Sequence, residues 1–226
     1  MTEEEWLMSD DPGTMLGYLR GDDGKIISPP QRLPERKSRL FGVACCRRID
    51  DLLTDPRSRR AVVVIEQYAD SVAAKDEVIA AFNVAFDVGP ELADRMDESL
   101  NSLARAAWAA SEACHPDELA ESVAEEAARA AEAARMPDES PTQAALIRDI
   151  FGNPFRPVTL GPAWLTSTVT ALAKQMYDTR DFSAMPILAD ALQDAGCEDE
   201  QVLSHCRSVG SHVRGCFVVD ACLGKE

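Results

Sequence analysis

The sequence predicts an all-α fold, and three observations predict it. Alanine fills 33 of the 226 positions, and alanine loses least on entering a helix. Helix-capping residues followed by first-turn prolines recur along the chain, while strand punctuation is almost absent. Between the caps, apolar residues fall three and four apart.

Thr2 and Glu5 have the capping-box spacing and predict a short first helix carrying Trp6 and Leu7. Asp11-Pro12 opens a second, with Met15, Leu16 and Leu19 as its stripe. Residues 21–34 hold two glycines and three prolines and read as a loop. Helical spacing resumes over 35–53, with Leu40, Val43, Ala44, Ile49 and Leu52/Leu53 on one broad face. Asp55-Pro56 starts another helix, whose stripe is Val62, Ile65, Tyr68/Ala69 and Val72. Residues 76–86 form a short apolar segment ending near Gly89-Pro90.

Between Ala104 and Ala134, 14 of 31 residues are alanine, and His115-Pro116-Asp117 divides them into the two arms of a helical hairpin. Small side chains would let the two backbones approach closely. Ser140-Pro141 begins a helix through Ile150, followed by an irregular loop, FGNPFRPVTLGP, at 151–162. Leu165, Val169, Leu172 and Met176 mark the next helix, and 182–195 another, closed by Gly196. Segments 198–206 and 212–223 finish the chain. The last is apolar nearly all round, which suits a buried helix or a short buried strand alike. The expected architecture is mainly α, with little or no β: one domain over 1–226, built of packed helical hairpins, with any internal seam at the 151–162 loop.

Composition excludes several functions. With 23 Lys+Arg against 39 Asp+Glu the net charge is −16, and a phosphate backbone would repel such a chain, so no nucleic-acid partner is expected. No apolar stretch approaches the roughly 20 residues of a membrane helix, and no membrane partner is expected either. The acidic start, MTEEEWLMSDDPG, lacks the order of a signal peptide. Seven cysteines at 45, 46, 114, 197, 206, 216 and 222 are an odd number without a secretory signal. They read as reduced thiols in a cytoplasmic protein. The patterns GxGxxG, GxxxxGK[ST], GxSxG and HExxH are absent, and only three histidines are present. No residue is nominated as catalytic.

The one dense cluster of chemistry-bearing residues is SHCRSVGSHVRGC, 204–216. His212 and Cys216 stand four apart and on a helix would share a face, as two ligands of one metal do. His205 or Cys206 would join across the Gly210 turn, and the adjacent Cys45 and Cys46 would complete a tetrahedron. Zinc suits such imidazole and thiolate donors, although the spacing matches no standard zinc module. The bland alternative is packed thiols and hydrogen-bonded imidazoles. A second reading clamps a small anion between Arg156, Arg207 and Arg214. Its bland counterpart has each arginine tied to loop carbonyls or to acids such as Asp149 and Asp220.

Charge is uneven as well. Residues 31–60 carry nine basic side chains against four acids, and residues 91–140 carry thirteen acids against four arginines. Such runs either dock an acidic partner or another copy of the chain, or close on each other internally.

Four stretches carry a resemblance: MTEEEWLMSDDPGTML; RKSRLFGVACCRRIDDLLTDPRSRRAV; IRDIFGNPFRPV with PAWLTSTV; and MPILADALQDAGCEDEQVLSHCRSVGSHVRGCFVVDACLGKE. In that order they resemble a large paralogous family of planctomycete-type bacterial proteins, in which Trp often stands where this chain has Phe217. The resemblance implies one intact domain running to the C-terminus, and transfers no activity and no functional residue. The expected function is therefore a non-enzymatic cytosolic module that binds a protein partner or itself. The alternatives are the metal- or thiol-dependent module and the arginine-based anion binder or enzyme.

Overall fold

The computed structural model describes residues 1–21, 33–93, 101–114, 120–134, 136–137 and 139–225. The capping chemistry does what its spacing predicts. The hydroxyl of Thr2 accepts from the N–H of Glu5, whose carboxylate accepts from the N–H of Thr2, and α1 (Glu3–Met8) begins there. Asp11 and Asp55 cap α2 (Pro12–Arg20) and α4 (Pro56–Ala69), each with proline in the first helical turn. The remaining helices are α3 (Glu35–Arg48), α5 (Lys75–Phe86), α6 (Val88–Ala93), α7 (Asn101–Cys114), α8 (Ala120–Ala133), α9 (Ser140–Phe151), α10 (Ser167–Thr179), α11 (Met185–Asp194), α12 (Glu200–Arg207) and α13 (Phe217–Leu223). Short 3₁₀ turns occupy Asp50–Leu52 and Pro162–Trp164. Among the described residues there is no strand. The chain is all-α.

Differences from the sequence reading have local causes. The 35–53 segment breaks after Arg48 into a 3₁₀ turn. Helix α4 stops at Ala69, Ser71 takes a φ of 58°, and Val72 is left exposed. Gly89-Pro90 does not end a helix but lies in the first turn of α6, where proline is tolerated. In α10 Val169 and Met176 are fully buried while Leu172 is only half-buried. Helix α11 starts at Met185 rather than 182. The ambiguous C-terminal segment is a seven-residue helix, α13, preceded by non-helical chain. The break at His115-Pro116-Asp117 and most of the 21–34 loop lie outside the described residues.

The chain divides into two compact units, Met1–Ala144 and Ala145–Glu226, the division falling inside α9 rather than at the 151–162 loop. In the first unit α7 and α8 pack together, and Ala106, Ala109, Ala110, Ala127, Ala130 and Ala131 are buried. Helix α3 packs on α8 as well, and a Cβ at Gly42 would already touch Val123. Trp6, Met15, Leu16, Phe41 and Ile65 belong to the buried set of this unit.

The uneven charge runs meet inside the same unit. Arg57 bridges Asp55 and Glu91, and Arg48 holds Glu139. Arg47 pairs with Glu66, Arg36 with Asp70 and Arg39 with Glu35. Arg32 lies outside the described residues. Much of the basic run is therefore matched by acids of the chain itself.

In the second unit α10 packs against α11 and α13, and α11 against α12. Met176, Leu188, Leu203, Val218 and Val219 form part of one apolar core. Helix α11 ends as Gly196 predicts: Gly196 has φ 92°, its N–H reaches Gln193, and the N–H of Cys197 reaches Leu192. That is the double hydrogen bond of a left-handed glycine cap. It turns the chain into α12, which carries His205.

Candidate metal centre

Four side chains of the second unit converge. Asp149 stands in the last turn of α9, His205 on α12, His212 in the connecting segment, and Cys216 immediately ahead of α13. One donor atom from each lies within 4.8 Å of the others. His212 Nδ1 is 2.7 Å and His205 Nε2 3.1 Å from the same carboxylate oxygen, Oδ1 of Asp149. His205 Nε2 is also 3.3 Å from Cys216 Sγ. The other carboxylate oxygen, Oδ2, accepts the backbone N–H of Val213 at 3.0 Å. Asp149 thus turns Oδ1 toward both imidazoles while Oδ2 is tied to the backbone.

His212 and Cys216 reach this point by a different route from the one their spacing suggests. They do not share a helix face. The chain turns at Arg214-Gly215, where Gly215 takes a φ of 94°, and the N–H of Cys216 bonds to the carbonyl of Val213. A left-handed residue there asks for glycine. The His205 ring packs on Phe217 at 4.4 Å between centroids and edge-on to His212 at 4.8 Å. On the far side Gly152, φ 68°, lies so close that a Cβ would come within 3.1 Å of the Phe217 ring. Gly152→Ala should therefore combine a disfavoured φ with a clash against the ring that seats His205. The expected loss is about 2 kcal/mol in urea unfolding, and an unchanged midpoint would show that ring and glycine are not coupled.

Electrostatics follow from burial. Asp149 is 3% exposed. Burial alone would raise its carboxyl, but the hydrogen bonds and charge of His205 and His212 outweigh it and hold the group below the usual carboxylate range. Cys216 is fully buried, and burial, followed by the neighbouring Asp149, pushes its thiol well up. A bound cation reverses that logic, since a coordinating thiol is deprotonated outright.

The arrangement is not a nucleophilic triad. There, nucleophile and orienting carboxylate sit on opposite nitrogens of the imidazole. Here Cys216 and Asp149 both approach His205 Nε2. Donors gathered around one point are what a cation requires.

The sequence-nominated residues divide accordingly. His205, His212 and Cys216 come together. Cys206 instead packs in the core of the second unit, its thiol pushed up to about 12 by burial and by Cys222 nearby. Cys45 and Cys46 are buried on α3 of the first unit and are not among the four converging donors. Of the arginines, Arg207 binds Asp190 and Gln193 on α11. Arg214 donates to the carbonyl of Tyr177 and stacks over its ring. Arg156 is exposed in the loop after α9, its carbonyl accepting from Gln201. The guanidinium groups of Arg207 and Arg214 thus have separate protein partners. Asp149 is the member that sequence reasoning missed. The sequence marks it only as an acid available to pair with an arginine.

Compared with protein-family models, curated proteins and solved structures, the chain matches none. Among the described residues no helix is long and apolar enough to cross a membrane.

Proposed function

We propose that this protein is a zinc-binding module whose ion is held by Asp149, His205, His212 and Cys216 in a structural, non-catalytic role. The observation that carries the reading is the convergence of two imidazoles, one thiol and one carboxylate oxygen within 4.8 Å. Zinc bonds of 2.0–2.3 Å in a tetrahedron set donor–donor edges of about 3.3–3.8 Å. The 3.1 Å and 3.3 Å separations are close to that, the 2.7 Å pair would open by about half an ångström, and the widest separations, up to 4.8 Å, would close by about one. Four protein donors complete a tetrahedron and leave no position for substrate, which separates structural from catalytic zinc.

The protein-interaction reading rests on opposed charge runs, and five of the nine basic side chains pair with acids of the first unit.

Native mass spectrometry of protein purified under reducing conditions, without added metal or chelator, tests the proposal. One zinc per chain is expected, absent from His205→Ala and Cys216→Ser. In His205→Ala the Asp149–His212 and Asp149–Val213 bonds should keep the fold. A bare mass that stays bare after zinc addition would reduce the cluster to a buried hydrogen-bond network.

A further inference from the structure

We infer that zinc occupancy suppresses local opening of the chain from Ser208 through Lys225, so that the metal sets how often α13 leaves its place on the second unit. The inference rests on the zinc reading above. The donors bracket an exposed turn: His205 precedes it, His212 and Cys216 follow it, and Ser208, Val209, Gly210 and Ser211 are all exposed, Val209 completely. Within this stretch the N–H of Ser208 bonds to His205 and that of Cys216 to Val213, both local contacts. Attachment to the rest of the unit comes through the Val213 N–H and His212 Nδ1 on Asp149, Arg214 on the carbonyl of Tyr177, Lys225 over the Tyr177 ring, and the apolar packing of α13. Two of these contacts end on Asp149, itself a ligand of the site.

Helix α13 has seven residues, well short of the roughly 12–15 at which a helix becomes marginally stable alone in water. It therefore depends on docking, and it packs on α10. Short segments that follow an exposed turn open locally at a fraction of the global unfolding free energy. An ion bonded to residues 149, 205, 212 and 216 fixes both ends of the exposed turn and the start of α13 against α9 at once. Metal binding free energy then becomes folding free energy for that segment. When the segment opens, Val218, Val219 and Cys222, each at most 2% exposed in the docked state, lose their cover together with Met176 of the same core. Zinc would thus gate an apolar surface.

Hydrogen-exchange mass spectrometry of the full chain, stripped by chelator and then given one equivalent of zinc chloride, reads this directly. Zinc should slow exchange of amides in 208–225 at least tenfold and change those of α11 and α3 less than twofold. His205→Ala should exchange rapidly in 208–225 with or without zinc. One bound zinc with 208–225 equally protected before and after would overturn the inference and leave the proposed function intact. So would a slowdown spread evenly over α10–α12. Failure to take up zinc in the same sample would overturn both.

Discussion

Asp149→Ala should abolish zinc uptake and, measured without metal, cost about 2–5 kcal/mol of stability, because it leaves more than one hydrogen-bonding group without its partner. Asp149 is the hub of the site. Its Oδ1 serves both imidazoles and its Oδ2 accepts the Val213 N–H, all with the carboxylate 3% exposed. Truncation leaves a buried backbone donor and a buried ring without partners, and each such group costs on the order of 1–3 kcal/mol. Asp149→Asn separates charge from shape: an amide oxygen can still accept from Val213 but carries no charge for an ion. It should lose zinc nearly as completely while losing less stability. Urea unfolding of the zinc-free proteins, with zinc titrated against a chromophoric chelator, gives both quantities. If Asp149→Ala unfolds within about 1 kcal/mol of the parent and still takes up zinc, Asp149 does not organise the site.

The helices were legible because their signals are local. Thr2, Asp11, Asp55 and Gly196 act on backbone groups within a few residues, so spacing alone places them. The site was half legible for the same reason. His205, His212 and Cys216 lie within twelve residues and any compact path brings them near one another. The path itself was misread, because a four-residue interval says helix whereas Gly215 at positive φ makes a turn. Asp149 comes from more than fifty residues upstream, in IRDIFGNPF, where nothing local marks one acid as buried. Its partner in position is Gly152, whose positive φ and contact with Phe217 tie the end of α9 to the start of α13. Cys206 beside His205 and the adjacent Cys45 and Cys46 carry no local mark of their surroundings, since a thiol in a sequence looks the same whether it faces a metal or a core. The charge runs were ambiguous because an ion pair such as Arg48–Glu139 spans 91 positions, and only tertiary structure decides whether a partner is inside or outside the chain.

That pair supports the second large expected effect. Arg48→Met should destabilise the protein by about 3 kcal/mol or more, although Arg48 itself is 37% exposed. Judged by the arginine this is a surface ion pair, worth at most about 1 kcal/mol. Judged by the glutamate it is buried, since the Glu139 side chain is 2% exposed and both its oxygens are engaged, at 2.9 and 2.7 Å, by Nε and Nη2 of Arg48. The buried partner sets the magnitude, because it is the group left uncompensated in a medium of low polarity. The geometry adds to it: Arg48 ends α3 and Glu139 directly precedes α9, so the fork joins two segments far apart in sequence. A double-mutant cycle separates the contributions. Adding Glu139→Gln to Arg48→Met should restore much of the loss, because the orphaned charge disappears with it. Lys174→Met is the control, as its pair with Asp178 is 71% and 55% exposed and should be indistinguishable from the parent. If Arg48→Met proves as silent as Lys174→Met in urea unfolding, then Glu139 is hydrated despite its surroundings, and the tie between α3 and the start of α9 is apolar packing rather than charge.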